Sequence, residues 1–101
     1  MAAVTEDQVE AVRALVASIP AGRVATYGDI ADAAGLSSPR IVGWIMRTDS
    51  SDLPWHRVIT ASGRPAAHIA TRQLERLRAE GVLADDGRVA LRGERSVRHV
   101  F

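Results

Sequence analysis

The chain has 101 residues, no cysteine, 47% hydrophobic and 25% charged residues, and a formal net charge of +1. This length suits one globular domain, which we expect to span residues 1–101, and the composition is ordinary for a globular protein. The lack of cysteine excludes disulfides, thiolate metal sites and thiol nucleophiles. Because the chain has neither a long apolar run nor a basic-then-apolar start, we expect a cytoplasmic protein without a membrane span or signal peptide.

Charge is distributed unevenly along the chain. Residues 1–38 carry a balance of −3 and residues 39–101 a balance of +4, and all thirteen basic residues are arginine. Arginine suits bidentate phosphate contacts and stacking on bases, but a GC-rich genome would produce the same depletion of lysine. His56, His68 and His99 have no carboxylate at ligand spacing, so we predict no metal site and no cofactor.

The first third of the chain predicts two helices. Residues 5–8 form a capping box at the start of an amphipathic scaffold helix, and the Pro-Ala-Gly sequence of residues 20–22 ends it. Residues 23–25 are expected to be extended. Thr26 then caps a second helix, which ends at Gly35 in the left-handed conformation.

A third helix is predicted after a short turn. Ser38 supplies its cap and Pro39 its first residue, and the helix should run to about Arg47. Two short helices joined by a glycine turn indicate a helix-turn-helix, whose second helix enters a DNA groove. Gly43 lies inside this helix, where glycine costs about 1 kcal/mol relative to alanine. Either DNA or another backbone approaches Gly43 closely, or Gly43 makes room for a neighbour such as Trp44.

The second half of the chain adds β-structure to these helices. Residues 58–59 begin a short apolar strand, and an amphipathic helix is expected from about residue 70 to residue 80. Residues 82–91 have the pattern of strand, turn and strand, a hairpin of the kind that forms a wing. The last ten residues, from Arg92, are weakly patterned and are expected to fray. The predicted fold is α+β, a small, mostly helical winged-helix or helix-turn-helix domain with a short β-hairpin wing.

Residues 54–58, Pro-Trp-His-Arg-Val, resemble the active-site motif of the O6-alkylguanine-DNA alkyltransferases. Those enzymes have the cysteine that accepts the alkyl group at the position of Trp55. Tryptophan at this position is the signature of the alkyltransferase-like proteins, which are similar to the transferases but bind alkylated DNA without repairing it. The resemblance covers the chain from about residue 5 to residue 91 and corresponds to the C-terminal, DNA-binding domain of the transferases.

The resemblance implies roles for individual residues. Tyr27 matches the tyrosine that rotates the phosphate of the damaged nucleotide, and Arg40 matches the arginine finger that enters the base stack. His56 and Glu80 match the residues that activate the thiol, and we expect them, with Arg57, to hold the loop as a remnant of that relay. From the residues alone, a half-buried core position for Tyr27 and a solvated position for Arg40 are the commoner outcomes.

Two sets of site residues follow from the resemblance. The predicted lesion pocket consists of Trp55, Tyr27, Pro54, His56, Val58, Arg57 and His68. The residues predicted to bind DNA and flip the base are Tyr27, Arg40, Thr26, Ser38, Gly43 and Arg47. His68 is included because, by counting from the motif, it falls where the transferases have a pocket tyrosine.

Trp55 determines what the pocket can do chemically. Indole is not an ionisable nucleophile, and no cysteine is present to replace it, so the chain is predicted not to be an enzyme. Its flat apolar surface can stack on a flipped base, which is worth roughly 1 to 3 kcal/mol. The alternative is a core tryptophan flanked by Pro54 and Val58.

The resemblance therefore implies a non-enzymatic sensor that binds O6-alkylguanine in duplex DNA through the minor groove by nucleotide flipping and flags it for nucleotide excision repair. The expected partners are double-stranded DNA carrying this lesion and nucleotide excision repair proteins, with no membrane partner. We expect a nucleoid-associated monomer. The alternatives are a winged-helix transcription regulator without lesion specificity and an enzyme with His56 as a general base.

Overall fold

The computed structural model describes residues 4–101, which form four α-helices and a two-stranded parallel sheet. In chain order the elements are α1 (Glu6–Ser18), β1 (Ala25–Thr26), α2 (Tyr27–Ala34), α3 (Pro39–Thr48), β2 (Val58–Ile59) and α4 (Ala70–Ala79). Short 3-10 turns at Trp55–Arg57 and Ala67–Ile69 lead into β2 and α4. The predicted α+β class with a helix-turn-helix is confirmed. Within the described residues, no helix is both long and apolar enough to cross a membrane.

Local hydrogen bonds place the ends of the first three helices where the sequence predicts them. Thr5, Thr26 and Ser38 are the N-caps of α1, α2 and α3, and each side-chain oxygen accepts a hydrogen bond from a backbone N–H of the first turn. Gly35 ends α2 in the left-handed conformation, with φ of 69°. These caps satisfy backbone groups that have no partner inside the helix, so the boundaries depend on residues adjacent in sequence.

The short parallel sheet separates two apolar clusters. Ala25 pairs with Val58 in the sheet, and both face the larger cluster, which is formed with α1, α2 and α3. Ile59, the next residue of β2, faces the opposite way into a smaller cluster with Leu77 of α4. Successive strand residues point to opposite faces, so two residues per strand suffice to join the two clusters.

The predicted β-hairpin wing is reduced to a tight turn. Asp85 and Arg88 form a single antiparallel bridge, with the N–H of Asp85 donating to the carbonyl of Arg88 over 2.9 Å. Asp86 and Gly87, the two central residues, both have positive φ, as a type I′ turn requires. No longer strand pairing forms around this turn in the part of the chain that the structure describes.

The wing does not extend because its second arm pairs elsewhere. The N–H of Val89 donates to the carbonyl of Gly63 over 2.9 Å, and the side chain of Val89 is buried in the smaller cluster. Gly63 has φ of 81°, and a Cβ at this position would lie 2.5 Å from the carbonyl oxygen of Val89. Glycine is therefore required at residue 63 for the two segments to meet.

The prediction that the chain frays after Arg92 is wrong. The N–H of Val24 donates to the carbonyl of Val97 over 2.9 Å, and the N–H of His99 donates to the carbonyl of Val24 over 2.7 Å. Arg98 also forms an ion pair with Asp29 at 2.6 Å. The segment is ordered because its backbone supplies hydrogen-bond partners for the polar backbone groups of Val24, just before β1. This pairing joins residues far apart in sequence, so no local pattern indicates it.

The Arg98–Asp29 pair generates a stability prediction. The Arg98 guanidinium holds the pKa of the Asp29 carboxyl below its ordinary value. Replacing Arg98 with alanine should lower the free energy of unfolding by about 1 kcal/mol, because the partly buried carboxylate loses its cation. Urea unfolding followed by circular dichroism measures this change. Arg92→Ala, at an exposed position, is the control and should change stability by less than about 0.5 kcal/mol. Equal stability of both variants would remove the proposed contribution of the pair.

Candidate nucleic-acid interface

The segment around Trp55 is held by a partly buried carboxylate. Glu80, at the end of α4, accepts hydrogen bonds from Arg57 Nη2 at 2.6 Å and Nε at 3.0 Å, and its Oε2 lies 2.8 Å from Nε2 of His56. Its other donor is the backbone N–H of Gly22 at 3.2 Å. The hydrogen bonds from Arg57 are the main reason that the pKa of Glu80 is lowered from 4.5 to about 2. Glu80 is therefore ionised at neutral pH and joins three parts of the chain.

Gln73 supports the same segment and was not predicted as a site residue. Its side-chain amide donates to the carbonyls of His56 and Val58 at 3.0 and 2.6 Å, and the residue is only 1% exposed. These bonds fix the backbone on both sides of Arg57. Gln73 could have been found from the sequence, because it lies four positions before Leu77 and therefore on the apolar face of an amphipathic helix. A polar residue on an apolar stripe needs a buried partner.

Trp55 is half-buried and lies against α4. The guanidinium carbons of Arg72 and Arg76 lie 5.4 and 5.1 Å from the centre of its ring, which is the range of cation–π contacts. The ring of His56 packs perpendicular to the indole, with centroids 6.0 Å apart. Neither arginine was predicted from sequence, although residues 72 and 76 are four apart and share one face of α4.

Trp55 forms part of the wall of an open pocket of about 390 Å³. This volume is in the range of small-molecule sites. The pocket lies between α3, the loop that follows it, the Trp55 segment and the start of α4. Its lining residues are Tyr27, Met46, Arg47, Thr48, Ser50, Ser51, Trp55, Ala66, His68, Ile69 and Arg72.

The structure divides the residues predicted for the lesion pocket into two groups. Trp55, Tyr27 and His68 line the pocket, together with Arg47, which was predicted to contact DNA. The others do not line it: Pro54, His56, Arg57 and Val58. Val58 is turned into the core by β2, and the side chains of His56 and Arg57 are directed to Glu80.

The loop that forms one wall of the pocket is also held by charge. Arg13 of α1 donates to the backbone carbonyl of Asp49 at 2.8 Å and to the carboxylate of Asp52 at 2.5 Å. The hydroxyl of Ser50 donates to the carbonyl of Met46. These contacts tie residues 49–52 back to α1 and keep both carboxylates away from the pocket lining.

Tyr27 is the first residue of α2 and is placed by the cap before it. Burial raises the pKa of the Tyr27 hydroxyl, while the positive charge of Arg47 acts in the opposite direction. Thr26, which was predicted to contact DNA, is 4% exposed, and its hydroxyl accepts the N–H of Asp29. Thr26 therefore supports Tyr27 from inside the fold.

The outer face of α3 carries the remaining residues predicted to bind DNA. Arg40, Gly43 and Arg47 recur at three- and four-residue steps on this face, and Trp44 beside them is 47% exposed. A Cβ on Gly43 would meet no atom within 4 Å beyond its own helix backbone and chain neighbours. Packing against another element of this chain therefore does not account for the glycine. Ser38 accepts the N–H of Arg40 at 3.1 Å, which places Arg40 in the first turn of the helix.

Comparison with known proteins identifies the family. Residues 7–82 match the family model described as 6-O-methylguanine DNA methyltransferase, DNA binding domain. The chain belongs to this family. The resemblance inferred from the Trp55 motif is confirmed, and the matched region runs from the second residue of α1 through α4 and includes Glu80. The C-terminal residues that pair with Val24 lie outside it.

Two relatives, one of which also has a crystal structure with DNA, show which members of this family the chain resembles. A DNA base-flipping protein of Vibrio parahaemolyticus is 39% identical over 85 residues, which cover 78% of this chain and 85% of the relative. Alkyltransferase-like protein 1 of Schizosaccharomyces pombe is 42% identical over 74 residues, which cover 66% of this chain and 68% of the relative. The crystal structure of S. pombe Atl1 in complex with damaged DNA containing O6-carboxymethylguanine aligns with a TM-score of 0.74 at 33% identity, covering 89% of this chain and 93% of that chain.

The lowered pKa of Glu80 generates a pH prediction. Well above pH 4.5 the carboxylate is ionised in both the folded and the unfolded chain, so its contribution to stability is complete. As the pH falls from there towards 2, the unfolded chain takes up a proton that the folded chain resists, and the contribution is lost. Stability should fall by on the order of 2 kcal/mol from this group in that interval, as measured by urea unfolding at several pH values.

Glu80→Gln and Glu75→Gln form a matched pair for this prediction. Glu80→Gln should be less stable at neutral pH and should lose less stability on acidification, because the group that titrates is gone. Glu75 is an exposed residue of α4, and Glu75→Gln should keep the pH dependence of the unaltered protein. An identical pH dependence in all three proteins would contradict the assignment to Glu80.

Proposed function

We propose that this protein binds duplex DNA, turns an O6-alkylguanine nucleotide out of the helix and holds it in the pocket that contains Trp55. The observation that carries this proposal is the position of Trp55 in the wall of a pocket of about 390 Å³, with Tyr27 and His68, next to the exposed face of α3. The Vibrio parahaemolyticus relative named for base flipping, and Atl1 solved with damaged DNA, support the same function.

The proposed roles follow from these positions. Arg40, exposed in the first turn of α3, fills the space that the flipped base leaves, because a planar guanidinium can stack and hydrogen-bond there. Tyr27 contacts the phosphate of the rotated nucleotide. Trp55 stacks on the base and its alkyl group, and the Arg72 and Arg76 contacts keep the indole in place.

We further propose that binding is the whole function and that no alkyl group is transferred. In the transferases, by resemblance, the histidine and glutamate activate a thiol; here His56 and Glu80 support an indole, and the chain has no cysteine. A complex that holds the lesion without removing it can flag the damage, and we propose nucleotide excision repair proteins as the partners that read this flag.

The first test compares two duplexes of identical sequence, one of which carries a single O6-methylguanine. At one stated salt concentration, the lesion duplex should bind at least about tenfold more tightly and should quench tryptophan fluorescence, because an indole that stacks on a base loses emission. Trp44→Phe should retain the quenching and Trp55→Phe should abolish it. Mass spectrometry of the recovered oligonucleotide should find the methyl group in place.

Each adverse outcome of this test has a distinct meaning. Equal affinity for the two duplexes would favour a helix-turn-helix regulator without lesion specificity. Loss of the methyl group from the oligonucleotide would overturn the non-enzymatic assignment. If Trp44→Phe abolishes the quenching and Trp55→Phe retains it, the tryptophan that contacts the base is Trp44 on α3 and not Trp55 in the pocket.

Gly43→Ala separates DNA contact from packing on α3. The added methyl group meets open space within the protein, so the substitution should stabilise the fold by up to about 1 kcal/mol. The same methyl group should weaken DNA binding, because it prevents the close approach of DNA to the helix. Thermal unfolding and the duplex titration measure the two effects. Unchanged or tighter binding would show that DNA does not approach α3 at this residue.

A further inference from the structure

The lining of the pocket is cationic. Arg47, His68 and Arg72 contribute basic side chains, and none of the lining residues is an aspartate or a glutamate. A neutral alkyl group such as methyl or ethyl gains nothing from two guanidinium groups. A neutral alkyl group therefore leaves both guanidinium groups without an anionic partner, which either a DNA phosphate or a negatively charged adduct would supply.

The two arginines of the lining are not neutralised by the protein. Within residues 4–101, neither Arg47 nor Arg72 has a carboxylate within ion-pair distance, whereas Arg13, Arg57 and Arg98 each have one. The two acids nearest in sequence to Arg47 are Asp49 and Asp52, and both are bound to Arg13. The positive charge of the pocket is thus left unbalanced by the fold itself.

Two hydroxyl groups of the pocket lining already donate hydrogen bonds within the protein. The hydroxyl of Thr48 donates to the carbonyl of Trp44 at 2.8 Å, and that of Ser50 donates to the carbonyl of Met46. The pocket also lies at the start of α4, whose first turn contains no acidic residue and has no side-chain cap. The backbone N–H groups there add positive potential, so the guanidinium groups are reinforced.

Arg72 and Arg76 differ in one respect that matters here. Both lie against the ring of Trp55, at 5.4 and 5.1 Å, but Arg72 lines the pocket and Arg76 does not. A guanidinium held on an aromatic ring at the pocket wall is pre-oriented, which reduces the entropy lost when it binds a carboxylate.

We propose that the pocket prefers O6-adducts of guanine that end in a carboxylate over neutral adducts of the same size, with Arg72 as the carboxylate's partner. This inference rests on the proposed lesion binding and specifies the class of adduct. A charge-assisted hydrogen bond from arginine is about twice as strong as a neutral one, and desolvation of both charges offsets part of the gain. The net preference should be roughly tenfold in affinity.

The test uses three duplexes of one sequence, carrying at one position O6-carboxymethylguanine, O6-carbamoylmethylguanine or unmodified guanine. The first two adducts have nearly the same shape and differ in charge. At one stated salt concentration, the unaltered protein should bind the carboxymethyl duplex roughly tenfold more tightly than the carbamoylmethyl duplex. Arg72→Gln also removes a contact with Trp55, so the readout is the ratio of the two affinities, and this ratio should fall to less than about twofold.

Arg76→Gln is the matched control. It removes a guanidinium from the same tryptophan ring but not from the pocket wall, so it should retain the preference for the carboxymethyl duplex. If Arg72 instead contacts a DNA phosphate, Arg72→Gln will weaken binding of both adduct duplexes equally and leave the preference intact. That result would overturn the role of Arg72 as the partner of the adduct's carboxylate. Loss of the preference in Arg76→Gln as well would show that overall charge, and not the pocket, selects the adduct.

Failure of this inference can be distinguished from failure of the proposed function. If both adduct duplexes bind more tightly than unmodified DNA and equally to each other, lesion binding stands and the charge preference is wrong. If neither adduct binds more tightly than unmodified DNA, the proposed function itself fails.

Discussion

The carboxylate of Glu80 connects parts of the chain that are far apart in sequence. It accepts hydrogen bonds from Arg57 and from the backbone of Gly22, and it contacts His56. Burying a carboxylate costs several kcal/mol unless charge and hydrogen bonds compensate. Arg57 supplies both and also donates to the carbonyl of Ile19 at the end of α1. The position of the Trp55 segment, and with it the pocket, depends on this one acid.

The arginines of this protein divide into two groups according to whether a carboxylate faces them. Arg13, Arg57, Arg64 and Arg98 are paired with acids and join distant segments. In the described part of the chain, Arg40, Arg47, Arg72 and Arg76 have no such partner, and they lie on α3, at the pocket and on α4 beside Trp55. A net charge of only +1 conceals this arrangement, because five of the acids are paired with arginines elsewhere in the fold: Asp29, Asp49, Asp52, Glu80 and Asp86. These four cations form a positive surface of the kind that a polyanion binds.

Features that do not stabilise the fold occur on or next to the candidate site. Gly43 is in a helix where alanine would be more favourable, and Trp44 exposes a large apolar surface. His56 Nδ1 and Gln73 Oε1 are buried without a partner among residues 4–101. Proteins tolerate such departures from the most stable arrangement mainly where function requires them. Gly43, Trp44 and the two buried atoms lie on α3 or next to the Trp55 segment, which agrees with a binding surface in this region.

The sequence by itself determined the helix ends, the helix-turn-helix and the family, because caps, glycine turns and the Trp55 motif act between neighbouring residues. It predicted that Glu80 acts together with His56 and Arg57 only through the resemblance to the alkyltransferases. Tertiary structure alone decided that Val89 pairs with Gly63, that the C-terminal residues pair with Val24, and that Arg72 and Arg76 contact Trp55. Each of these contacts joins residues at least 17 positions apart, as do the bonds from Gln73 to His56. Their energy depends on burial and geometry that exist only after the chain has folded, so no local pattern encodes them.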